Sequence, residues 1–225
     1  HQHDATRSLL RGLAHEIKNP LGGIRGSAQL LDREIDDESR EFTRIIIHEA
    51  DRLQNLVDRM LGPKDLPVKV WLNIHKVLEH IRQLLKAETD SIIFTADYDP
   101  SLPDIYADES MLIQALLNIT SNAVAALDEE GEITLRTRPR RNTTIRSKTY
   151  ALVAQIDIVD NGPGIPKELA ETLFFPMVTG RAEGTGLGLS IAQSLIQQHN
   201  GQIEFSSKPG QTCFTILLPL ENGHD

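Results

Sequence analysis

The sequence is short of three features that would direct it to particular surroundings or partners. It has one cysteine, Cys213, so no disulfide can form within the chain, which fits a reducing compartment. It has no signal peptide and no apolar run near the roughly 18 residues that a membrane-spanning helix needs. It also lacks an excess of basic charge, since 23 Lys and Arg stand against 32 Asp and Glu, for a net charge of -9. We therefore predict a cytoplasmic protein without a nucleic-acid or membrane partner, because both attract basic surfaces.

The chain begins at HQHDATRS, without a methionine. We interpret it as a piece of a longer protein whose upstream region, with any sensory part, precedes these residues. Its 225 residues, 40% of them hydrophobic, are enough for one large domain or two small ones with a real core.

Apolar side chains at helical spacing predict two helices near the start of the chain. The first set, in residues 9–31, alternates steps of three and four, which is typical of one helical face. The acidic stretch 32–39 predicts a turn, and a second apolar set follows from Phe42 to Met60 before the stop signal Gly62-Pro63. A hairpin of two such helices leaves one side of each uncovered, and two hairpins would pair into a four-helix bundle. We predict that residues 1–63 form a homodimerisation domain of this kind.

Short β-type runs alternate with helical patterns after Pro63. The runs lie at 68–72, 92–96, 132–137, 150–160, 202–207 and 212–219, and the helices at 74–88, 109–127 and 187–199. This alternation predicts that residues 64–225 form a second, mixed α/β domain in which helices cover a sheet. The basic segment 138–148 is predicted to be a solvated loop between two strands, with a docking surface as the alternative.

The sequence LAHEIKNPLGG places a histidine in the first helix. His15 is two steps from Leu13 and from Ile17, so it lies roughly opposite the apolar face. Glu16 can accept a hydrogen bond from one ring nitrogen, which leaves the other nitrogen as a nucleophile, and Asn19, one turn on, could orient a water or a phosphoryl group. Pro20 is expected to bend the helix just past this point. An ordinary exposed histidine is the alternative.

Two further motifs in the α/β domain carry oxygen ligands and a tight turn. Asn118 and Asn122 lie four apart on one helical face, and an amide oxygen is a suitable ligand for Mg²⁺, although a pair of capping asparagines is the alternative. In DNGPGIP, Asp160 can accept a hydrogen bond from an exocyclic amine such as that of adenine. Gly162 and Gly164 permit a tight turn with close ligand approach. A plain strand-to-helix turn is the alternative there.

The third motif, GRAEGTGLGLS, leads into a helix. Gly184, Gly186 and Gly188 leave backbone N–H groups unobstructed just before a helix N-terminus, where phosphates bind. The spacing differs from both the dinucleotide and the Walker fingerprints, so neither of those folds is indicated. The preceding PMVTGRAE suggests a lid that orders over a nucleotide.

Taken together, these motifs resemble a known family. Asn118–Asn122, DNGPGIP, LFFPMVTG and GTGLGLS are similar to the N, G1, F and G2 boxes of the GHKL-type ATP-binding domain, and HEIKNPL to the H box of the sensor histidine kinases of two-component systems. The resemblance covers nearly the whole chain. RGLAHEIKNPLGGIRGSAQLL, DRLQNLVDRMLGP, YDPSLP and LFFPMVTGR are most similar to the nitrogen-regulation members. It implies a helical hairpin that forms a dimeric four-helix bundle, followed by a GHKL-type α/β sandwich.

The resemblance assigns a role to each matching residue. By the H box, His15 is the phospho-acceptor, Glu16 its acid–base partner, and Asn19 positions water for dephosphorylation of a partner protein. By the N box, Asn122 coordinates Mg²⁺ and Asn118 lies near the phosphates of ATP.

The G1 and G2 boxes imply the rest of the ATP site. Asp160 would read adenine while Gly162 and Gly164 shape its pocket, and the three glycines of the last motif would close on the triphosphate. Many members carry a lysine where this chain has Ala125, so we expect Arg181 of the lid to contact the γ-phosphate instead. Related hydrolases have a glutamate base where this chain has Asn118, and an amide cannot take a proton from water.

The implied activity is phosphorylation of His15 from ATP·Mg²⁺, transfer to the receiver domain of an NtrC-like response regulator, and removal of that phosphate. A PII-type signalling protein is an implied further partner. Two interpretations stay open: a scaffold without chemistry, and a GHKL ATPase or serine kinase in which His15 is incidental. Whether phosphorylation occurs within a subunit or across the dimer is also open.

Overall fold

A computed structural model describes residues 2–36, 39–61, 67–89, 91–127, 130–179 and 186–220. Side chains of residues 2–15, 55, 56 and 58–61 lie outside this description. The chain divides into two compact units, His1–Asp65 and Leu66–Asp225. No helix in the described ranges combines the length and the apolar character that crossing a membrane requires.

The first unit is a helical hairpin, as predicted. Helix α1 spans Gln2–Glu34 and runs through Pro20, and helix α2 spans Arg40–Leu61. The predicted turn at 32–39 was wrong in its first three residues, which continue α1. The reason is that Asp32 has partners across the hairpin: its carboxylate accepts from the Thr43 hydroxyl, and its carbonyl accepts from Arg40 Nε at 3.1 Å.

The hairpin buries one heptad-spaced row of each helix against the other. The buried rows are Leu21 and Ala28 on α1, and Thr43, Ala50 and Val57 on α2. Arg25 Nε also donates to Asp51 Oδ1 at 2.6 Å, which ties the two helices together. The buried rows and this ion pair together hold the two helices in one register.

A second heptad-spaced row of each helix stays uncovered within one chain. Its members are 43% to 51% exposed, and they are Ile17, Ile24 and Leu31 on α1 and Ile46 and Leu53 on α2. Phe42 and Ile45 are also exposed, at 68% and 54%. Most of the described side chains in the predicted apolar sets of these helices therefore face outward, as is expected of a hairpin that pairs with further helices in a bundle.

The second unit combines two sheets with four helices in its described residues. Its elements in chain order are β1 (Val70–Leu72), α3 (Ile74–Glu88), β2 (Ile92–Tyr98), β3 (Ile105–Ala107), α4 (Glu109–Ala126), β4 (Gly131–Ile145), β5 (Lys148–Asp160), α5 (Lys167–Ala170), α6 (Gly188–Gln198), β6 (Gln202–Lys208) and β7 (Gln211–Pro219). The predicted helices and strands are all confirmed, whereas the short β3 and α5 were missed.

Five strands form the main sheet in the order β2-β4-β5-β7-β6, and β1 pairs with β3 in a small antiparallel sheet. Among the strand pairs of the described residues, β2 and β4 alone are parallel. Large side chains on one face of the main sheet are fully buried, among them Ile133, Leu135, Ile156, Ile158 and Ile216. Helix α4 packs against both α3 and α6 in the layer that covers the core. The mixed α/β prediction is therefore confirmed.

The basic segment 138–148 is not a loop. It consists of the outer parts of β4 and β5, which pair down to Ile145 and Lys148, with a turn in which Arg146 has a φ of +57°. Polarity misled the prediction because the guanidinium of Arg138 is held by Asp97 of β2, with Nη2 2.7 Å from Oδ1. A charged strand residue that is paired in this way resembles a loop residue in sequence alone.

This extended hairpin shares a hydrophobic cluster with strand β7. Ile145, Val153 and Leu217 are each no more than 2% exposed, and Tyr150 packs against them. The N–H of Arg146 donates to Gln202 Oε1 at 3.1 Å, so the turn also reaches strand β6. The hairpin is therefore a packed part of the second unit.

Ile145→Ala is expected to lower the free energy of unfolding of the second unit by about 2–4 kcal/mol, because it leaves a cavity among buried side chains. Thr144→Ala, at the exposed neighbouring position, is the matched control and is expected to stay within about 0.5 kcal/mol of wild type. Chemical denaturation followed by circular dichroism measures both. Equal stability of the two variants would contradict the packed hairpin.

Candidate active site

Helix α4 carries the two predicted asparagines and begins at a well-formed cap. The Oδ1 of Asp108 accepts from Met111 N at 3.0 Å, which satisfies one of the free N–H groups at the helix start. Asn118 Nδ2 donates to the carbonyl oxygen of Gly188 at 3.2 Å. A Cβ placed on Gly188 would lie 3.7 Å from Asn122 Nδ2. The structure thus brings both asparagines to the start of α6.

Asp160 ends strand β5 and is 3% exposed. Its Oδ1 accepts from the N–H of Gly162 at 2.9 Å, which folds the chain back on itself. A Cβ on Gly162 would lie 2.8 Å from this oxygen and 3.5 Å from the carbonyl of Ala126. Only glycine fits there without displacement, so the DNG turn lies against the last turn of α4.

Gly164 has a φ of +91°, in the region that side chains disfavour. A Cβ there would lie 3.0 Å from the carbonyl carbon and oxygen of Lys208. In the same place, the N–H of Gly210 donates to the carbonyl of Gly162 at 2.9 Å. The turn between β6 and β7 therefore fastens the DNGPG loop from its other side.

Gly186 also has a left-handed backbone, with a φ of +65°. Its carbonyl accepts from the N–H of Met177 at 3.0 Å, and a Cβ would lie 2.6 Å from the Met177 carbonyl carbon and 2.7 Å from Val178 N. Met177 itself has a φ of +66° and is 72% exposed. The segment PMV is thus anchored to the residues that begin α6.

The predicted residues of the second unit therefore gather around α4. Asn118, Asn122, Gly186 and Gly188 meet at the start of α6, and the loop of Asp160 lies at the end of α4. Arg181 and Gly184 lie outside the described residues. The three residues of the first unit lie on α1, where Glu16 and Asn19 are exposed; the side chain of His15 is outside the description.

One residue of this region was missed by the sequence reasoning. Thr212 is 4% exposed and pairs with Asp160 across β5 and β7. Its hydroxyl lies 3.0 Å from that of Ser207, which accepts from the N–H of Ile165 at 2.8 Å. The alternation of TCFTILLP places Thr212 on the face of Phe214 and Ile216, and a hydroxyl on a buried face is the signal that was available.

The donors present fit Mg²⁺ bound together with phosphates. No three His, Cys, Asp or Glu side chains come together as a metal cage in the part of the chain that the structure describes. Mg²⁺ in nucleotide sites commonly takes one or two protein oxygens and fills its other positions with phosphate oxygens and water. An amide on α4, next to a glycine-rich helix start, suits that arrangement.

The chain matches two family descriptions. Residues 107–222 match "Histidine kinase-, DNA gyrase B-, and HSP90-like ATPase", and residues 5–64 match "His Kinase A (phospho-acceptor) domain". The first match contains every described residue of the nucleotide-site motifs, and the second contains His15.

Curated relatives extend this similarity over nearly the whole chain. The sensory histidine kinase/phosphatase NtrB of Vibrio alginolyticus is 55% identical over 223 residues, which are 97% of this chain and 64% of that protein. NtrB of Rhizobium meliloti is 42% identical over 220 residues, 94% of this chain and 58% of that protein. The chain thus spans about two thirds or less of the length of these relatives.

Solved structures agree on the architecture. Full-length ShkA in complex with AMPPNP is 25% identical, with a TM-score of 0.72, and the match covers 97% of this chain and 47% of ShkA. ThkA in complex with the response regulator protein TrrA is 25% identical, with a TM-score of 0.61, over 95% of this chain and 61% of that one. The chain therefore belongs to the family of histidine kinase-, DNA gyrase B- and HSP90-like ATPases, and it carries that ATPase domain after a His Kinase A domain, as sensor histidine kinases do.

Proposed function

We propose that this chain is the core of a sensor histidine kinase of the NtrB type, in which ATP phosphorylates His15. The observation that carries the proposal is the gathering of Asn118, Asn122 and Gly188 beside the Asp160 turn, in a domain of this ATPase family that follows a phospho-acceptor helix. Residues 1–63 serve as the dimerisation and phosphotransfer domain, and residues 64–225 bind the nucleotide.

In this proposal the Asp160 carboxylate accepts a hydrogen bond from the adenine amine, within the turn that Gly162 and Gly164 shape. The backbone N–H groups at Gly184, Gly186 and Gly188 face the phosphates at the start of α6. Asn122 holds Mg²⁺, which neutralises phosphate charge when bound, and Asn118 lies near the phosphates. Arg181 contacts the γ-phosphate in place of the lysine that Ala125 replaces.

The reaction at His15 forms one bond and breaks one. A ring nitrogen attacks the γ-phosphorus, the new N–P bond forms, and the bond to the β,γ-bridging oxygen breaks as ADP leaves. Glu16 takes the proton from the other nitrogen and returns it when the phosphoryl group moves on. Most of the rate enhancement comes from positioning and charge stabilisation. Asn118 offers an amide where a hydrolase needs a base, which favours transfer over hydrolysis.

Transfer to an NtrC-like response regulator breaks the N–P bond and forms an acyl phosphate on an aspartate. Removal of that phosphate uses a water that the exposed Asn19 amide orients. Two observations support these roles: the relatives bear the name kinase/phosphatase, and a solved relative, ThkA, is in complex with a response regulator. A PII-type partner and a cytoplasmic location rest on the resemblance to nitrogen-regulation kinases alone.

The homodimer has support from the hairpin itself. Its uncovered row of heptad-spaced apolar side chains is what a second copy would cover in a four-helix bundle. Each chain would then supply two of the four helices.

The proposed function is tested by incubating the whole chain with γ-labelled ATP and Mg²⁺ and isolating the protein. Covalent label that is lost in acid and retained in base identifies a phosphoramidate, the expected result. Acid-stable label would indicate a hydroxyl acceptor, and release of phosphate without label would indicate a hydrolase. Bound nucleotide without either would indicate a scaffold.

Asp160→Asn is expected to weaken ATP binding about a hundredfold, because the amide replaces the carboxylate that accepts from both Gly162 N–H and the adenine amine. Isothermal titration with ATP and with GTP measures the change, since the loss should fall on ATP. Asp157→Asn is the matched control, because Asp157 is also a buried β5 carboxylate but is bound to Gln155 and Thr215. Similar affinities for ATP in wild type and Asp160→Asn would refute the adenine role.

A further inference from the structure

His199 closes helix α6 and is 5% exposed. Its Nε2 lies 3.0 Å from the backbone N–H of Asp108, and its Nδ1 lies 2.8 Å from the carbonyl oxygen of Leu195. A backbone N–H can only donate, so Nε2 accepts and carries no hydrogen. Nδ1 therefore holds the hydrogen and donates it to Leu195, which makes the ring neutral in this arrangement.

Asp108 connects three parts of the second unit. Its N–H donates to His199, its Oδ1 caps α4 by accepting from Met111 N, and its Oδ2 accepts from the N–H of Val68 at 2.8 Å. Val68 belongs to the leading segment, residues 67–69, through which the chain enters this unit. One residue thus joins the start of α4, the end of α6 and the leading segment.

The other end of α6 is joined to α4 as well. Gly188, the first residue of α6, accepts from Asn118. Along α4, Asp108 and Asn118 are ten positions apart, and along α6, Gly188 and His199 are eleven positions apart. At 1.5 Å per residue, both distances are about 15–17 Å. Helix α6 therefore runs antiparallel to α4 and is hydrogen-bonded to it at both ends.

We propose that His199 and Asp108 are positioning residues for nucleotide binding, which hold α6 in the one register that keeps Gly188 against Asn118 and Asn122. This inference rests on the proposed function, because it assigns a purpose to the α4–α6 pair only if that pair binds a nucleotide. Neither residue touches the nucleotide in this scheme. A slip of α6 along α4 would move the phosphate-binding N–H groups away from the asparagines, since α6 is a rigid helix.

Acidification should release this connection. Burial lowers the pKa of His199 below its usual 6.5, the Leu195 carbonyl opposes this, and of the charges that face the ring, Lys69 lowers the pKa and Asp108 raises it. Because the pKa of His199 is lower in the folded state than in the unfolded state, the neutral ring stabilises the fold above pH 6.5. This stabilisation is lost as the pH falls from 6.5 through the folded-state pKa. A protonated ring presents an N–H toward the Asp108 N–H, so the bond between them breaks.

The test is titration of the whole chain with AMPPNP in the presence of Mg²⁺, at about pH 7.5 and about pH 5.5. His199→Leu removes both ring hydrogen bonds and is expected to weaken binding about tenfold at the higher pH. His199→Gln keeps an acceptor for the Asp108 N–H, so it is expected to bind within about twofold of wild type there. Between about pH 7.5 and about pH 5.5, His199→Gln should also lose less AMPPNP affinity than wild type, because it has no ring that can be protonated.

Asn73→Ala is the control for general destabilisation. It removes the cap of α3, where Asn73 Oδ1 accepts from His75 N at 3.0 Å, and it leaves α4 and α6 untouched. The proposal is overturned if His199→Leu binds like wild type or like Asn73→Ala, or if His199→Gln shows the acid weakening of wild type. If His199→Leu does not fold, the pH comparison of His199→Gln decides. A wild-type chain that binds no AMPPNP would instead refute the proposed function.

Discussion

A chain in which His15 is replaced by glutamine is expected to lose covalent labelling from γ-labelled ATP, to below about 1% of wild type. The amide nitrogen of glutamine has its lone pair delocalised into the carbonyl, so it cannot attack phosphorus, whereas its size and polarity suit the position opposite the apolar face that the sequence predicts for His15. Nucleotide affinity should stay within about twofold of wild type, because His15 belongs to the other compact unit. Autoradiography of the protein after equal incubation measures the labelling.

His48→Gln is the matched control for this experiment. His48 is an exposed histidine on α2 of the same hairpin, and no role is proposed for it. It is expected to label like wild type. Label that persists in His15→Gln and disappears in His48→Gln would move the acceptor to the second helix and refute the role of His15.

Gly186→Ala is expected to weaken AMPPNP binding by tenfold or more. A left-handed backbone costs alanine about 1–2 kcal/mol, and a tenfold change in affinity corresponds to about 1.4 kcal/mol. The added Cβ would also lie 2.6 Å from the Met177 carbonyl carbon and 2.7 Å from Val178 N and O. These are backbone atoms, so no side-chain rotation can relieve the overlap, and the segment before α6 has to change its path.

Gly188→Ala is the control that distinguishes backbone strain at Gly186 from the general effect of replacing a glycine by alanine. Gly188 is two positions on, its φ is not in the left-handed region, and a Cβ there would meet its neighbours at 3.7–3.9 Å, in ordinary contact. The free energy of unfolding of Gly188→Ala is expected to equal that of wild type or to exceed it by up to about 1 kcal/mol, because alanine favours a helix more than glycine does. Calorimetry measures the stability of both variants, and titration with AMPPNP measures their nucleotide affinity. Unchanged binding by Gly186→Ala would show that the segment 177–186 is not part of the nucleotide site.

The elements that were predicted well are those with a strong local pattern. Helix α3 was predicted at 74–88 and is observed there, because its buried residues recur at helical spacing after the capping Asn73. The prediction of a loop at 138–148 was wrong because the residues of this segment are mostly polar, whereas partners in other strands hold them in a β-sheet. Arg138 pairs with Asp97 of β2 and Ile145 packs against Leu217 of β7, and both partners are far away in the sequence.

The same division holds for the candidate site. Residue types and short spacings were enough to select Asn118, Asn122, Asp160 and the glycines, because each belongs to a compact motif. Thr212 and His199 belong to no such motif. Thr212 pairs with Asp160 of another strand, and His199 is hydrogen-bonded to Asp108, 91 positions earlier, so no short window of sequence contains these contacts.

Local sequence patterns were sufficient to predict the class of most elements, the division into a helical hairpin and an α/β domain, and the kinds of side chain available for phosphate chemistry. These depend on local periodicity, capping and turn preferences, which act over a few residues. Contacts between distant elements became known from the three-dimensional structure: which glycine meets which asparagine, which described apolar side chains of the helical hairpin stay exposed, and how Asp108 and His199 join α4 to α6. Those contacts depend on packing among elements distant in the chain, where burial and hydrogen-bond satisfaction select one register.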